Sequence, residues 1–224
     1  MKLVRGKNVE LYKEVHSDDE SWGTTSVALF TEVSYVIDYL KPKTICDYGC
    51  GKGTLISEIK RKYPTIDVYG YDPAIEGRDV LPQIDRVDLV INTDVLEHIP
   101  EDELKETLVN IRGLSDNVFF NFYHALADTV LPDGTNAHCT VKSKYWYHDL
   151  LLQYFHHVTV LHGQDPWTSI MLTFPIHASL WEKFNNHYRN RMVIADIRRL
   201  ANPIYKYVRP VCAPLVRYIV KRLT

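Results

Sequence analysis

The stretch TICDYGCGKGTL, from Thr44 to Leu55, decides how this chain folds. A short apolar run gives way to three glycines at alternate positions, Gly49, Gly51 and Gly53, and then resumes with helical spacing. Leaving a buried strand and entering a helix within a few residues requires backbone angles that side chains obstruct, and glycine lacks that obstruction. The first N–H groups of the following helix favour a carboxylate or a phosphate. The stretch therefore predicts a strand, a ligand-binding turn and a helix.

Apolar runs and helical patterns alternate along the chain on both sides of this glycine turn. They predict helices at residues 25–40, 54–64, 100–112 and 144–155, and strands at residues 44–48, 66–71, 87–92, 117–122, 157–162 and 170–175. Strands that alternate with helices form a parallel sheet covered on both faces, because parallel neighbours need crossover connections. The link between the last two strands is too short for a crossover helix, so we expect them to pair antiparallel. The predicted fold class is α/β, with a mostly parallel sheet, an antiparallel edge strand and helices on both faces.

The pattern also predicts details of two helices. Five side chains in residues 25–40 recur at helical spacing and should form the buried face of that helix: Val27, Phe30, Ser34, Ile37 and Leu40. Pro100 should open a later helix, since a first turn does not need the N–H that proline lacks, and Gly113 should cap its end. The apolar stripe of that helix is predicted to contain Leu104, Leu108 and Ile111.

Length and composition suit one α/β domain with extensions. The chain has 224 residues, and 46% of them are hydrophobic, enough for a sizeable core. We predict one domain over residues 1–177, which includes an N-terminal arm, followed by a basic helical extension over residues 178–224. A net charge of -2 argues against a general nucleic-acid binder, which must neutralise many phosphates. The four cysteines form no paired framework, and the N-terminus has no apolar stretch typical of a signal peptide. We therefore expect a reducing, cytoplasmic location.

Three interpretations of the glycine turn compete: a phosphate-binding P-loop, a dinucleotide-binding fingerprint and a turn that binds no ligand. A phosphate-binding P-loop needs Ser or Thr after its lysine, but Lys52 is followed by Gly53; a dinucleotide fingerprint has the spacing G-x-G-x-x-G, and this chain has G-x-G-x-G. Similar turns also occur in folds that bind nothing. Asp72 narrows the choice, because it ends the next strand nineteen residues after Gly53, where a carboxylate can accept both hydroxyls of a ribose. A nucleoside ligand is therefore indicated.

Three segments together, CDYGCGKG (46–53), GYDP (70–73) and DVLEHIP (94–100), resemble the class I S-adenosylmethionine-dependent methyltransferases of the bacterial small-molecule or glycan type. The resemblance covers roughly residues 23–176. It implies a Rossmann-like methyltransferase fold with S-adenosylmethionine as cofactor. By the same resemblance, the amino-acid part of the cofactor would lie along Asp47, Gly49, Gly51 and Gly53, its ribose beside Asp72 and Pro73, and its sulfonium near Asp94 and Val95.

The chain departs from this family between Asp72 and Val87. Only fourteen residues separate the two, too few for the helix, strand and acidic loop that the family usually places there and that contact the adenine. The shortened segment should make that contact instead, and Asp79 and Val80 are its candidates.

Two groups of polar residues are candidates for the chemistry. Methyl transfer to a hydroxyl requires a positioned nucleophile and a base that removes its proton. Asp94, Glu97 and His98 share one face if their segment is helical. His98 could then be a base, the three could hold a divalent metal as in the similar ubiquinone-type O-methyltransferases, or they could brace the loop.

The second group lies in the loop of residues 124–146, which is unusually long for a compact domain. Its polar set suits a hydroxylated substrate: His124, Asp133, Asn136, His138 and Lys144. Its segment LPDGTNAH also resembles one in bacterial methyltransferases of surface-polysaccharide synthesis. We expect His138 rather than His124 to be the base, because the family often has a histidine just before its next helix.

Both ends of the chain carry further patterns. The arm before the first predicted helix contains Tyr12, His16, Trp22 and Gly23, and in similar enzymes such an arm closes over the cofactor; a purely structural role is equally open. At the other end, an apolar stripe should pack on the body or on another subunit: Leu180, Phe184, Tyr188, Ile197 and Leu200. Residues 189–224 carry nine Lys and Arg and one acid, so this segment has a net charge of about +8 and the rest about -10.

The basic segment has no apolar run long enough to cross a membrane, but it could lie on an anionic membrane surface or pack on the acidic body. The expected protein is a cytoplasmic methyltransferase, in one alternative peripheral to the inner face of the membrane. Its acceptor should be a hydroxyl of a small molecule, sugar or surface glycan. A lipid or quinone methyltransferase and an inactive cofactor-binding scaffold are the rivals. Nucleic acid is a poor acceptor, since N-P-P-Y, D-P-P-Y and P-C motifs are missing.

Overall fold

A computed structural model of the chain describes residues 6, 8–164, 167–189 and 191. The elements follow in the order α1 (Val9–Asp18), a 3₁₀ turn (Thr25–Leu29), α2 (Phe30–Leu40), β1 (Thr44–Tyr48), α3 (Thr54–Lys62), β2 (Asp67–Tyr71), β3 (Leu89–Thr93), a second 3₁₀ turn (Leu96–His98), α4 (Leu104–Leu114), β4 (Val118–Tyr123), α5 (Lys144–Leu151), β5 (Thr159–His162) and β6 (Thr168–Leu172). Residues 178–189 are also helical.

The strands form a single sheet in the order β2-β1-β3-β4-β6-β5. Strands β1 to β4 are parallel, whereas β6 runs antiparallel to both β4 and β5. The α/β prediction with an antiparallel pair at one edge is therefore confirmed. Because β1 lies between β2 and β3, the strand order reverses at β1, and ligands of such sheets bind beyond the carboxyl ends of the strands at that point.

Both faces of the sheet are covered, which explains why its central strands are mostly apolar. Neighbouring residues of a strand point to opposite faces. Ile45 packs in one core with α2 and α3, and Cys46 packs in the other with α4 and α5. The same alternation sends Phe119 to the first core and Phe120 to the second. The two cores hold the ends of the parallel strands in place, and the polar turns follow directly from those ends.

Three details of the predicted helices are wrong. Val27 is exposed, because residues 25–29 form a tight 3₁₀ turn that shifts the register; Ser34 and Ile37 are buried as predicted, together with Leu29, Val33 and Val36. Pro100 does not open α4, since its carbonyl accepts the N–H of Glu103 in a separate turn and the helix begins at Leu104. Gly113 lies inside that helix, and Ser115 ends it. The predicted stripe of α4 is buried as expected: Leu104, Leu108 and Ile111.

The helix of residues 178–189 is part of the same core as the sheet. Leu180, Phe184 and Tyr188 are buried in the cluster that also contains α2 and α3. The Tyr188 hydroxyl donates to the carboxylate of Glu32, a fully buried side chain, at 3.1 Å. Of the predicted stripe, Ile197 and Leu200 lie outside the described residues, as does nearly all of the basic segment. Among the helices that the structure describes, none combines the length and apolar content needed to cross a bilayer.

We expect Phe184→Ala to lower the free energy of unfolding by about 3–5 kcal/mol, the usual cost of emptying a buried aromatic site. Trp181→Ala is the matched control, because Trp181 lies on the same helix and is 42% exposed. Urea unfolding of both variants measures the difference. Equal, small effects would mean that the helix does not contribute to the core of the domain.

Candidate functional site

A cavity of about 650 Å³ lies at the carboxyl ends of β1 to β4, where the strand order reverses. Its walls come from the turns after these strands and from the N-terminal arm. Gly49, Asp72, Asp94 and His138 are each contributed by a different turn. The cavity has the size of a typical site for a small molecule or cofactor.

The glycine turn has left-handed backbone angles, with φ of 86° at Gly49 and 49° at Gly51. A β-carbon at Gly49 would collide with the side chain of Val95, and one at Gly51 would collide with the backbone of Gly23 in the arm. Two independent constraints therefore require glycine here: the backbone angle and the close approach of neighbouring segments. The second constraint brings the arm into direct contact with the turn.

Gly53 has a different place from the other two glycines. It is the residue before α3, with φ of 75°, and it does not line the cavity. A β-carbon there would meet the guanidinium of Arg78. Gly53 therefore shapes the start of the helix from behind the turn.

Asp72 joins the end of β2 to the glycine turn. One carboxylate oxygen accepts the N–H of Gly51 at 2.9 Å, and the other accepts the N–H of Ala74 at the same distance. Asp72 and Pro73 both line the cavity. Each carboxylate oxygen can accept more than one hydrogen bond, so Asp72 retains acceptor capacity toward a ligand.

Asp47 lies beneath the turn and is fully buried. Neither of its carboxylate oxygens has a hydrogen-bond partner among the described residues. Burial, followed by the nearby charge of Asp72, raises its pKa to about 7, although Arg78 opposes the shift. Burying a carboxylate without a partner lowers the stability of the folded chain. A cationic group or a hydrogen-bond donor near the turn would stabilise it.

We expect the stability of the ligand-free protein to fall by about 3 kcal/mol between pH 5 and pH 8 because of Asp47 alone. The pKa of about 7 exceeds the ordinary value of 3.8, so the folded chain keeps a proton that the unfolded chain has lost, and stability decreases as pH rises toward 7. Asp47→Asn resembles the protonated acid and should not show this decrease. Urea unfolding of both proteins at the two pH values measures it; parallel pH dependences would contradict the assignment.

Asp94 follows β3 in a strained conformation, with a φ of 54° that is uncommon outside glycine. Two contacts with Asn121 at the end of β4 hold it there. The Asn121 side-chain amide donates to the Asp94 carboxylate at 2.5 Å, and the Asp94 N–H donates to the Asn121 carbonyl at 3.1 Å. Asn121 also lines the cavity, with a side-chain oxygen that has no partner among the described residues. Sequence analysis missed Asn121, whose only signal is a polar residue inside an apolar run.

The α-helix that would place Asp94, Glu97 and His98 on one face does not form. The segment forms a 3₁₀ turn, in which Glu97 is fully buried and accepts the N–H of Tyr123 at 2.8 Å. Burial and the charge of Asp94 raise the pKa of Glu97 well above its ordinary value. Within the described part of the chain, no group of three potential ligands could hold a metal ion. Of the three alternatives for these residues, the divalent metal site therefore finds no support, and Glu97 braces the loop after β4.

His98 and His138 lie side by side in the cavity, with ring centroids 4.7 Å apart. The Nδ1 atom of His98 is 2.9 Å from the carbonyl oxygen of Ala137, and that of His138 is 2.6 Å from the carbonyl oxygen of Ala125. Because a carbonyl only accepts, we assign the proton of each neutral ring to Nδ1, which leaves Nε2 as an acceptor. Burial lowers the pKa of His98 to about 3 and also lowers that of His138. The pair is therefore neutral at physiological pH.

The other polar residues predicted in the long loop do not line the cavity. His124 has both ring nitrogens engaged, with the carbonyl of Lys142 and the hydroxyl of Ser169, and it does not line the cavity. Asp133 and Lys144 do not line it either. Asn136 has an indirect part, because its side-chain oxygen accepts the N–H of His138 at 2.9 Å. Only His138 of the predicted set reaches the cavity.

The arm covers the cavity and is attached on two sides. The Tyr12 hydroxyl donates to the carbonyl of Ala137 at 2.7 Å, next to the histidine pair. The N–H of Lys52 in the glycine turn donates to the carbonyl of Gly23 at 3.0 Å. Nine described residues of the arm line the cavity, among them the four that the sequence indicated: Tyr12, His16, Trp22 and Gly23. Its contacts thus connect the turn after β1 with the loop after β4.

The segment between β2 and β3 is short, as predicted, and contains turns only. Its first turn closes when the N–H of Asp72 donates to the carbonyl of Arg78 at 2.9 Å. The following residues leave the cavity, so neither Asp79 nor Val80 lines it, and Val80 is 61% exposed. These two residues are therefore not supported as adenine contacts.

Comparison with known proteins shows that the chain is similar to methyltransferases. A family model described as a methyltransferase domain matches residues 27–162. The fold resembles that of 1,6-didemethyltoxoflavin-N1-methyltransferase from Burkholderia thailandensis, solved with its substrate and S-adenosylhomocysteine, with a TM-score of 0.52 and 16% identity over 73% of this chain and 85% of that chain. It also resembles the methyltransferase domain of bacterial CtHen1, with a TM-score of 0.51 and 16% identity over 68% of this chain and 100% of that chain. No protein of curated function shows significant sequence similarity to the chain.

Proposed function

This chain belongs to the methyltransferase domain family as a class I S-adenosylmethionine-dependent enzyme, and we propose that it methylates a hydroxyl group of a small molecule, a sugar or a surface glycan. The observation that carries the choice of a hydroxyl is the neutral histidine pair in the same cavity as the glycine turn. A hydroxyl must lose its proton during transfer, and a neutral imidazole with a free Nε2 can accept it.

The residues around the turn fit S-adenosylmethionine. Its amino-acid part carries an ammonium, and Asp47 is an unpartnered buried carboxylate beneath the turn. Asp72 would hold the ribose through its remaining acceptor capacity. Asp94 and Val95 line the cavity beside the turn and would lie near the sulfonium. When bound, the cofactor supplies an electrophilic methyl group.

His138 is the proposed base, and His98 is the second candidate. The Nδ1–H of His138 is tied to the Ala125 carbonyl, which fixes the ring orientation and directs acceptor character to Nε2. The loop that carries His138 is itself fixed through Asn136 and through the Tyr12 contact to Ala137. The protein would thus hold the acceptor hydroxyl, take its proton at Nε2 and exclude water with the arm.

The proposal also includes a cytoplasmic location and a glycan as the acceptor. A role in polysaccharide synthesis is supported by the sequence resemblance of residues 131–138, and a cytoplasmic location by the four cysteines, which form no paired framework. The one observation that supports contact with a membrane surface is the positive charge of residues 189–224. Such contact would favour the alternative acceptor, a lipid or a quinone.

Two measurements test the proposal. Isothermal titration with S-adenosylmethionine should show binding, and a transfer assay on sugars, their nucleotide-linked forms, quinones and lipids should show methyl-ether formation on a hydroxyl. Binding without transfer to any acceptor would favour the inactive scaffold. The proposal of hydroxyl methylation would be overturned if S-adenosylmethionine did not bind, or if methyl groups were transferred only to nitrogen.

A further inference from the structure

From the acceptor side of the cavity we infer the substrate class: an uncharged sugar or polyol with two neighbouring hydroxyl groups, in preference to its phosphorylated or nucleotide-linked form. The inference rests on the proposed hydroxyl methylation and narrows it. Three observations carry it: the arrangement of His98 and His138, the charges on the cavity wall and the aromatic rings beside the pair.

Both histidines line the cavity, and each has an unprotonated Nε2 as its remaining hydrogen-bonding atom. Each Nδ1–H is used by a backbone carbonyl, and neither Nε2 has a hydrogen-bond partner among the described residues. The rings meet edge to face with centroids 4.7 Å apart. Acceptors on two rings that are in contact suit two donors of one ligand. A pair of neighbouring hydroxyls satisfies both, with one hydroxyl positioned by His98 and the reacting one at His138.

The charges on the wall disfavour an anionic acceptor. The residues that line the cavity include five acidic ones, Asp19, Asp72, Asp94, Glu103 and Asp128, and no Lys or Arg in the part of the chain that the structure describes. Two nearby lysines are engaged outside it: Lys52 Nζ donates to the carbonyl of Asp19, and Lys142 pairs with Glu101. A phosphate in this cavity would lose hydration and meet charges of its own sign, which is unfavourable.

Aromatic rings complete the acceptor side. Tyr12, Trp22 and Tyr123 line the cavity around the histidines, and Trp22 lies edge to face with His98 at 5.7 Å. Aromatic side chains provide apolar contact area with a polar edge, which suits a ligand that has both a hydrocarbon face and hydroxyl groups. A sugar ring has this character, whereas a lipid chain would leave the two Nε2 atoms without donors.

Binding measurements separate this inference from the proposed function. The probes are methyl glycopyranosides of differing configuration, myo-inositol, the 6-phosphates of the same sugars and uridine diphosphate sugars, each titrated into the full chain with S-adenosylhomocysteine present. We expect at least one neutral probe to bind and to lose about tenfold in affinity when either of two adjacent hydroxyls is deleted. Its phosphorylated form should bind at least tenfold more weakly.

Variants locate the contact. His98→Gln and His138→Gln should each weaken the neutral probe several-fold, whereas His156→Gln, which removes an exposed imidazole outside the cavity, should not. The ¹⁵N resonances of both Nε2 atoms should shift on addition of the probe. Failure of every neutral probe to bind, tighter binding of an anionic form, or unchanged affinity in both variants would overturn the inference. The proposed function would survive if a hydroxyl of an anionic or lipid acceptor were methylated, and both would fail if the cofactor did not bind.

Discussion

Asp72→Ala is expected to weaken binding of S-adenosylhomocysteine about 100-fold or more, enough to abolish it at micromolar concentrations. The carboxylate serves two purposes at once. It is the proposed acceptor for the ribose hydroxyls, and it holds the Gly51 N–H and the Ala74 N–H at 2.9 Å. Hydrogen bonds to a charged acceptor contribute about 1.5–3 kcal/mol each, so losing the ribose contacts and the support of the turn together costs two or more powers of ten.

Asp79→Ala provides the control for this variant. It removes a carboxylate seven residues downstream that does not line the cavity, so binding should be unchanged. Thermal unfolding without ligand shows whether Asp72→Ala remains folded. Tight binding by a folded Asp72→Ala protein would exclude Asp72 as the ribose acceptor; weakened binding in Asp79→Ala would mean that the short segment between β2 and β3 does contact the ligand.

Much of the fold was predictable because the parallel strands β1, β3 and β4 are buried on both faces and end in polar turns. The run TICDY, followed by alternate glycines, is compatible with few other structures, and β1 has the predicted bounds. The errors arose where local hydrogen bonds compete with regular helix. The turn closed by the Pro100 carbonyl delays α4, and the 3₁₀ turn before α2 exposes Val27.

The site was less predictable than the fold because its residues meet through contacts that are distant in sequence. Spacing placed Asp94, Glu97 and His98 on one face of an α-helix, but their segment forms a 3₁₀ turn, and His98 contacts His138, forty residues later. The requirement for glycine at position 51 comes from Gly23 of the arm, which no local pattern of the turn reveals. Asn121 supports Asp94 from the neighbouring strand, a contact that only the sheet order creates.

The geometry also decides between the two histidines of the long loop. His124 bonds through both nitrogens and faces away from the cavity, so its lone pair is not available to a substrate. His138 has only Nδ1 engaged and lines the cavity. A base must have a free acceptor within reach of the proton that it removes. His138 therefore remains our proposed base on structural grounds that are independent of the family resemblance.

His138→Gln is expected to lower the rate of methyl transfer about 10²–10⁴-fold while leaving the affinity for S-adenosylhomocysteine unchanged, the range typical of a lost general base. Single-turnover kinetics at saturating cofactor measures the rate, and isothermal titration measures the affinity. His148→Gln is the matched control, because it removes an imidazole on α5 that does not line the cavity. An unchanged rate in His138→Gln would exclude His138, and a loss in His98→Gln alone would assign the role to His98.

The pH dependence provides a second test of the same assignment. Burial lowers the pKa of His138 below its ordinary value of 6.5, so the ring stays neutral and able to accept a proton at lower pH than a free imidazole does. At saturating cofactor, the rate should therefore fall toward acidic pH with a midpoint below 6.5, as Nε2 becomes protonated. His138→Gln should lose this acidic limb together with most of its activity. A limb that persists unchanged in the variant would belong to another group, and His138 would then position the acceptor without removing its proton.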